Sequence, residues 1–476
     1  MSFIEGVGRD QQQMFPDVLD DYVTAENPVR FIDAFVGSLN LSELEFERVV
    51  AAETGRPAYD PKDLLALYVY GYLYGIRSSR KLEKETHRNV ELMWLLRGLR
   101  PDFKTIADFR KDNGPALRKV CREFTLLCKR MDLFGAELVA IDGSKFRAVN
   151  NRQRSFPRAQ LEDMLGQIDA RVESYLGQLD AQDNSEASTA TVDDLKQRVQ
   201  ELTERRAECQ ALLEQMDRKD EDEVSLTDPD SRRMMTGGTT QVCYNVQIAV
   251  DEKHKLIVAE EVTNQASDRQ LLAPMAKQAK QVLGKEQLAV VADRGYTNAE
   301  QVKQCVESGI VPYMGRPQNS RNLKLDLFTK DDFIYDKDTD SYRCPAGETL
   351  RFHFENARRS RPGRPVRYYW TSACARCALK SRCTKDGRRR RINRTPQEPF
   401  VEDMRARVAA APEVLRKRKA IVEHPFGTMK RSMNQGYFLT RGLEKVKTEF
   451  SLTVLAYNIK RVLGILTVPR MVTALA

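Results

Sequence analysis

The spacing of apolar and polar positions changes twice along the chain, and each change marks a new kind of element. From 57 to 135 the apolar positions recur at helical intervals. PKDLLALYVYGYLYGI follows Asp60 and opens on Pro61, the pairing that starts a helix. SSRKLEKETHRNVELMWLL (78–96) and TIADFRKDNGPALRKVCREFTLLCKRM (105–131) continue the helical period. Ser79, Arg80 and Lys81 stand at a helix start amid basic residues, which suits a small helical DNA-binding unit.

The period then shortens. ELVAIDGSKFRAV (137–149) predicts a strand, and QVCYNVQIAVDEKHKLIVAEEV (241–262) predicts a β-hairpin turning at Asp251–Lys255. SDRQLLAPMAKQAKQVL (267–283) predicts a helix capped by Ser267 or Asp268. QLAVVAD (287–293) is a strand, a helix runs from about Asn298 to Gly309, and IVPYMG is a short strand. Strand, hairpin, helix, strand, helix and strand in that order make an α/β fold with a mixed sheet.

Two long segments interrupt this order. In the first, Leu161, Leu165, Ile168, Val172, Tyr175 and Leu179 alternate spacings of four and three. Val192, Leu195, Val199 and Leu202 repeat the pattern, and Cys209, Leu213 and Met216 resume it after AQDNSEASTA has separated the two sets. This predicts an inserted antiparallel helical hairpin, read as a contact or dimer arm or as a self-packed solvated arm. The second segment, about Gly315 to Pro399, is aperiodic, basic and rich in Pro and Gly. The chain closes in helices.

The 476 residues exceed one ordinary domain, and 41% hydrophobic with 30% charged residues is a globular composition. The N-terminus MSFIEGVGRDQQQ lacks the basic start and apolar core of a signal peptide, and no run is long enough for a membrane span, so a cytoplasmic, nucleoid-associated protein is expected. The net charge of +9 is unevenly spread: residues 158–230 hold 20 acids and 8 bases, residues 343–431 hold 24 bases and 8 acids. The second block attracts polyanions, and nucleic acid is the expected partner.

The acids carry the chemistry. LVAID and AVVAD are apolar runs that each stop at an aspartate, Asp142 and Asp293, with Gly143 and Gly295 close behind. Mg²⁺ prefers carboxylate oxygens, and a pair of ions can activate an attacking oxygen and stabilise a leaving one. Glu423, in KAIVEHPFGTMKR, is the candidate third acid, on a helix that also carries Arg416, Lys417, Arg418, Lys419, Lys430 and Arg431. Taken singly, each acid reads equally well as a turn residue or an ion-pair partner.

Together with their surroundings these blocks resemble a DDE transposase of bacterial insertion sequences, a group with a ribonuclease-H-like catalytic core. DPKDLLALYVYGYLYGIRSSRKLEKETHRNVELMWLLRG is similar to that group's N-terminal helical domain. AIDGSK, TDPDSRRMMTGG with YNVQIAVD, ADRGY, and VEHPFGTMKR with FLTRGLEKVKTEFSLTVLAYNIKR resemble the later blocks in order.

The resemblance implies a ribonuclease-H-like mixed sheet core in two parts, 136–157 and 226–314, with a helical, DNA-end-binding domain at 1–135. It places the inserted hairpin at 158–225, a basic Cys-containing insertion at 315–400 and C-terminal helices at 401–476. It implies Asp142, Asp293 and Glu423 as ligands of two Mg²⁺ or Mn²⁺ ions, with Lys145, Arg294, Lys419, Lys430 and Arg431 as cations for DNA phosphate. Lys430 follows Glu423 by seven residues, two helical turns, which predicts a shared face. The group often places Tyr and Arg seven and four residues before the glutamate; here those positions are Arg416 and Lys419, and Pro425 predicts a kink just after Glu423. The expected partners are double-stranded DNA, as terminal inverted repeats and target, and further copies of the chain, dimeric or higher when two ends are joined.

Four of the nine cysteines fall late, Cys344, Cys374, Cys377 and Cys383, spaced C-x29-C-x2-C-x5-C. In a reducing compartment this favours Zn²⁺ over disulfides, with His353 as a substitute ligand. A zinc knuckle would present Arg388, Arg389, Arg390 and Arg391 to DNA. Two other functions remain open at this stage: a metal-dependent nuclease that cuts without joining, and a non-catalytic DNA-binding protein derived from a transposase.

Overall fold

The computed structural model describes residues 18–50, 57–150, 154–183, 189–315, 321–357 and 365–475. The N-terminal segment read for a signal peptide and residues 184–188 of AQDNSEASTA therefore lie outside the described residues.

Six helices come first: α1 (Pro28–Ser38), α2 (Pro61–Leu73), α3 (Ser79–Thr86), α4 (Val90–Leu95), α5 (Phe103–Asp112) and α6 (Gly114–Arg130). Their starts follow from sequence. Asn27 and Asp60 accept from the N–H two residues on, each before a proline that has no N–H to satisfy. α2 is buried on almost every side, so its apolar residues run all round rather than in a stripe.

Strand β1 (Leu138–Arg147) leads through β2 (Ser155–Pro157) to α7 (Arg158–Asp183) and α8 (Thr189–Lys219), then to β3 (Glu223–Ser225), which pairs with β2. α7 and α8 run antiparallel: Arg158 pairs with Asp217 and Arg206 with Asp169, around a small core of Leu161, Ile168, Cys209 and Met216.

β4 (Arg232–Thr236), β5 (Thr239–Asp251), β6 (Ile257–Thr263), α9 (Leu272–Leu283), β7 (Leu288–Ala292), α10 (Ala299–Glu307) and β8 (Ile310–Met314) complete a six-stranded mixed sheet. Its order is β4-β5-β1-β7-β8, with β6 also on β5. β5 is antiparallel to β1, while β7 and β8 run parallel to it.

α11 (Arg321–Lys324), the strands β9 (Ile334–Asp336), β10 (Ser341–Arg343), β11 (Thr349–Ala357) and β12 (Pro365–Trp370), the turn α12 (Lys380–Cys383) and β13 (Ile392–Arg394) follow. The strands form a second, antiparallel sheet where the sequence predicted no regular structure. Three of its strands have only three residues, and Tyr335, Tyr342 and Tyr369 pack ring against ring across the sheet, a cross-strand signal that periodicity does not register.

α13 (Glu398–Ala410) and α14 (Pro412–Gly427) lead through a π turn (Thr428–Ser432) to α15 (Leu443–Leu463) and α16 (Val468–Thr473). α15 is buried along most of its length, and the Asn458 amide pairs with both backbone groups of Ile257 at 2.9 Å, closing the free edge of β6. The first N–H groups of α15 have no cap of their own side chains. Asp228 and Asp230, from the TDPDSRR block, accept from Gly442 at 3.0 Å and Leu443 at 2.8 Å instead. Among the described residues no helix is long and apolar enough to cross a membrane.

Candidate active site

Register brings the first two acids together. β1 and β7 are parallel neighbours with Ile141 opposite Ala292, so the next residue of each chain, Asp142 and Asp293, emerges at the same level of the sheet. Neighbouring strands lie ~4.8 Å apart, within reach of a shared cation. The two strands end differently. β7 stops at Ala292, but β1 runs on to Arg147 against β5, so Asp142 is mid-strand, at the point where β1 loses its β7 partner.

Arg418 of α14 stands between the acids, its Nη1 3.1 Å from Asp142 Oδ2 and its Nη2 4.0 Å from Asp293 Oδ1. Burial pushes the Asp142 carboxyl up to about 6, opposed by Arg418 and by the Gly143 N–H it accepts from. Asp293 caps a 3₁₀ turn, accepting from the Arg294 N–H at 2.8 Å. Gly295 lies in that turn without positive φ, and a Cβ there would meet nothing, so the turn does not need it.

A third aspartate sits beside the pair. Ser267 caps a single 3₁₀ turn before α9, which leaves Asp268 free to face inward instead of capping the helix. Its Oδ1 accepts from Asn245 at 2.7 Å, Gln247 at 2.9 Å and Lys145 at 3.4 Å. Gln247 in turn accepts from the hydroxyl of Tyr296, whose ring is buried beneath the turn. This network explains Gly143: a Cβ there would lie 2.2 Å from Gln247 Nε2. Gly143→Ala should therefore displace Gln247 and cost about 1–3 kcal/mol, the range for overpacking, read by denaturant unfolding. An unchanged midpoint would mean that Gln247 yields freely.

Glu423 is not joined to the aspartates in this structure. It is exposed on α14, and among the described residues none forms a hydrogen bond or ion pair with it. Lys430, seven residues on, does not share its surroundings. α14 continues through Pro425, and the π turn after Gly427 swings Lys430 onto β1, where it donates to Ser144 Oγ at 2.6 Å and the Lys145 carbonyl at 3.1 Å. Lys419, Arg294 and Arg431 are exposed.

Arg388 and Arg391 are exposed as well; Arg389 lies over Trp370, and Arg390 turns inward over Phe333. Arg418 was not singled out from its neighbours in RKRK. Its signal is its place three and four residues before the buried Ile421 and Val422, on the stripe that faces the sheet.

The four late cysteines converge. Cys344, Cys374, Cys377 and Cys383 line one cavity of ≈ 20 Å³ with Phe333 and Leu350. Burial and the three neighbouring thiols push the Cys383 thiol up. All are free thiols, and the other five cysteines are buried elsewhere. His353 is not among them: it stacks on Trp370 at 3.6 Å and bonds that residue's carbonyl. As they stand, no three His, Cys, Asp or Glu among the described residues are placed to hold a metal ion.

Comparison with known proteins gives two family matches. A "Transposase domain (DUF772)" matches residues 17–112, and a "Transposase DDE domain" matches residues 343–463. The second spans the cysteine cluster and Glu423; Asp142 and Asp293 lie outside both. No curated protein matches the chain. A cryo-EM structure of the piggyBac transposase synaptic complex with hairpin DNA aligns over 94% of this chain and 79% of that one, at 10% identity and a TM-score of 0.36, too slight a likeness to support an argument. A helical N-terminal region and a late DDE region of transposase type define a transposase. More narrowly, the chain is a DDE transposase of the insertion-sequence type, an enzyme that acts on DNA and belongs to a class using divalent metal ions.

Proposed function

We propose that this transposase binds the terminal inverted repeats of its insertion sequence and performs DNA cleavage and strand transfer at Asp142, Asp293 and Glu423. The observation that carries this reading is the pair of aspartates emerging side by side from β1 and β7 with a cation between them. The sheet, a strand and hairpin followed by alternating helices and strands, supports a ribonuclease-H-like core. Carboxylate oxygens at a partly exposed edge suit Mg²⁺ or Mn²⁺, and two ions are proposed. Bound there, such ions would lower the pKa of the attacking hydroxyl and neutralise charge on the phosphate.

The chain's own residues supply the rest. Asp142 and Asp293 fix the position of the cleavage site on the sheet. Lys430 packs from the π turn onto β1 beside Lys145, and Arg294 and Lys419 are exposed to receive DNA phosphate. Residues 1–135 are proposed to read the element's ends, the acidic α7–α8 arm to make subunit contacts, and the DNA-bound state to be at least dimeric. Metal-dependent cleavage and joining of DNA bearing the element's terminal repeats tests this. Cleavage without joining would indicate a nuclease, and binding alone a non-catalytic derivative.

The cysteine cavity is proposed to hold one structural Zn²⁺. Four thiols from three separate turns suit a closed tetrahedral site, and the small aromatic core around them needs such a staple. Metal analysis should find about one zinc per chain in the wild type. Cys374→Ser should lose it and unfold at lower temperature; an unchanged zinc content would remove the proposal.

A further inference from the structure

Arg418 occupies the place that the proposed reaction gives to a divalent ion. Asp142 and Asp293 carry like charges on adjacent strands, an arrangement that needs a counter-ion. The nearby lysines are committed elsewhere: Lys145 to Asp268, and Lys430 to Ser144 and a backbone carbonyl. Arg418 alone among the described residues bridges the pair, and its side chain is 17% exposed, so this is no loose surface contact. A divalent ion binds carboxylate oxygens directly, and Asp142 Oδ2 already accepts from Arg418. Ion and guanidinium therefore compete for the same lone pairs.

Arg418 and Glu423 share α14. Five residues apart, they point ~140° away from one another around a helix. The face now turned to the aspartates presents Arg418, and Glu423 is exposed. The same helix ends in a π turn, an irregularity that lets a helix change register locally.

We propose that Arg418 is the resident counter-ion of the metal-free transposase, and that its release on divalent-ion binding frees α14 to bring Glu423 to Asp142 and Asp293. This rests on the metal-dependent reading above. Arg418 is thus a positioning residue whose contact holds the site in a resting arrangement.

The test is Mn²⁺ binding to the full-length protein without DNA, by calorimetry, with thermal unfolding of the metal-free form as a second readout. Arg418→Gln should bind Mn²⁺ about tenfold more tightly than wild type, within the usual range for coupled sites. Metal-free Arg418→Gln should melt lower, and Mn²⁺ should raise its Tm by more than it raises the wild type's. Arg418→Lys, which keeps the charge but loses the planar fork of donors, should fall between. Unchanged or weaker Mn²⁺ binding by both Arg418 variants would overturn the proposal. Asp142→Asn separates the two levels: if it binds Mn²⁺ as wild type does, the metal reading itself fails, whereas lost binding there beside unaltered Arg418 variants overturns only the role of Arg418.

Discussion

Asp142→Asn and Asp293→Asn proteins are expected to lose DNA cleavage by more than about a thousand-fold, roughly 4 kcal/mol of transition-state stabilisation, while still binding the element's ends. The two side chains leave the sheet at one level because β1 and β7 are parallel and in register at Ile141 and Ala292. An amide keeps the size of the carboxylate but removes the charge that holds a cation. Neither change should unfold the protein. Asp293 is half exposed, and neutralising Asp142 relieves a carboxyl that burial already disfavours in its charged form. End-binding by gel shift, cleavage on labelled DNA and thermal unfolding would be measured on the same preparations. Cleavage within tenfold of wild type by either variant would detach these acids from the chemistry.

The largest loss of stability is expected at a residue remote from the chemistry. Glu449 is fully buried in α15, and its carboxylate accepts from the Leu439 and Thr440 N–H groups, the Thr440 hydroxyl and Arg77 at 3.1 Å. Arg77, from the link between α2 and α3, also donates to the carbonyls of Tyr437 and Asn434. The network ties the N-terminal helices to the segment that joins the π turn to α15.

Glu449→Ala would leave a buried guanidinium and three donors without their acceptor, at a cost of about 3–5 kcal/mol. For a chain of 476 residues unfolding as one unit that lowers Tm by roughly 1 °C per kcal/mol. Glu449→Gln keeps one acceptor oxygen and should cost less. Equal Tm values for wild type and Glu449→Ala would show that the network contributes little.

Much of this site could be read from the sequence, for reasons that can be located. Asp142 and Asp293 each end an apolar run, and an acid where a strand leaves the core is conspicuous. That β1 continues past Asp142 follows the strand predicted over 137–149; what the sequence did not show is that β7 stops at Ala292, leaving β1 only β5 beyond Asp142. Ser267 and Asp268 were equal candidates for the cap; Ser267 caps a 3₁₀ turn, and the acid turns inward. Arg418 was masked by three adjacent cations; which of them faces the sheet depends on the packing of Ile421 and Val422, not on charge. In the β9–β13 sheet, β9, β10 and β13 have three residues each, too few positions for a period, whereas the alternation of Leu350, Phe352 and Phe354 in β11 was a strand signal that went unread. Glu449 ends the charged stretch EKVKTE just before the apolar run FSLTVLAYNI, so nothing in its neighbours marked it as buried, and its partner Arg77 lies 372 residues away.

Glu423 is the member of the proposed triad that this structure leaves apart from the others, so it bears most directly on the central claim. The decisive measurement is cleavage and joining of DNA carrying the element's terminal repeats, in Mg²⁺, by wild type and Glu423→Ala. Nicked and joined products are expected from the wild type only when metal is present, and neither product from Glu423→Ala despite normal end binding. Cleavage by Glu423→Ala at the wild-type rate would contradict the triad.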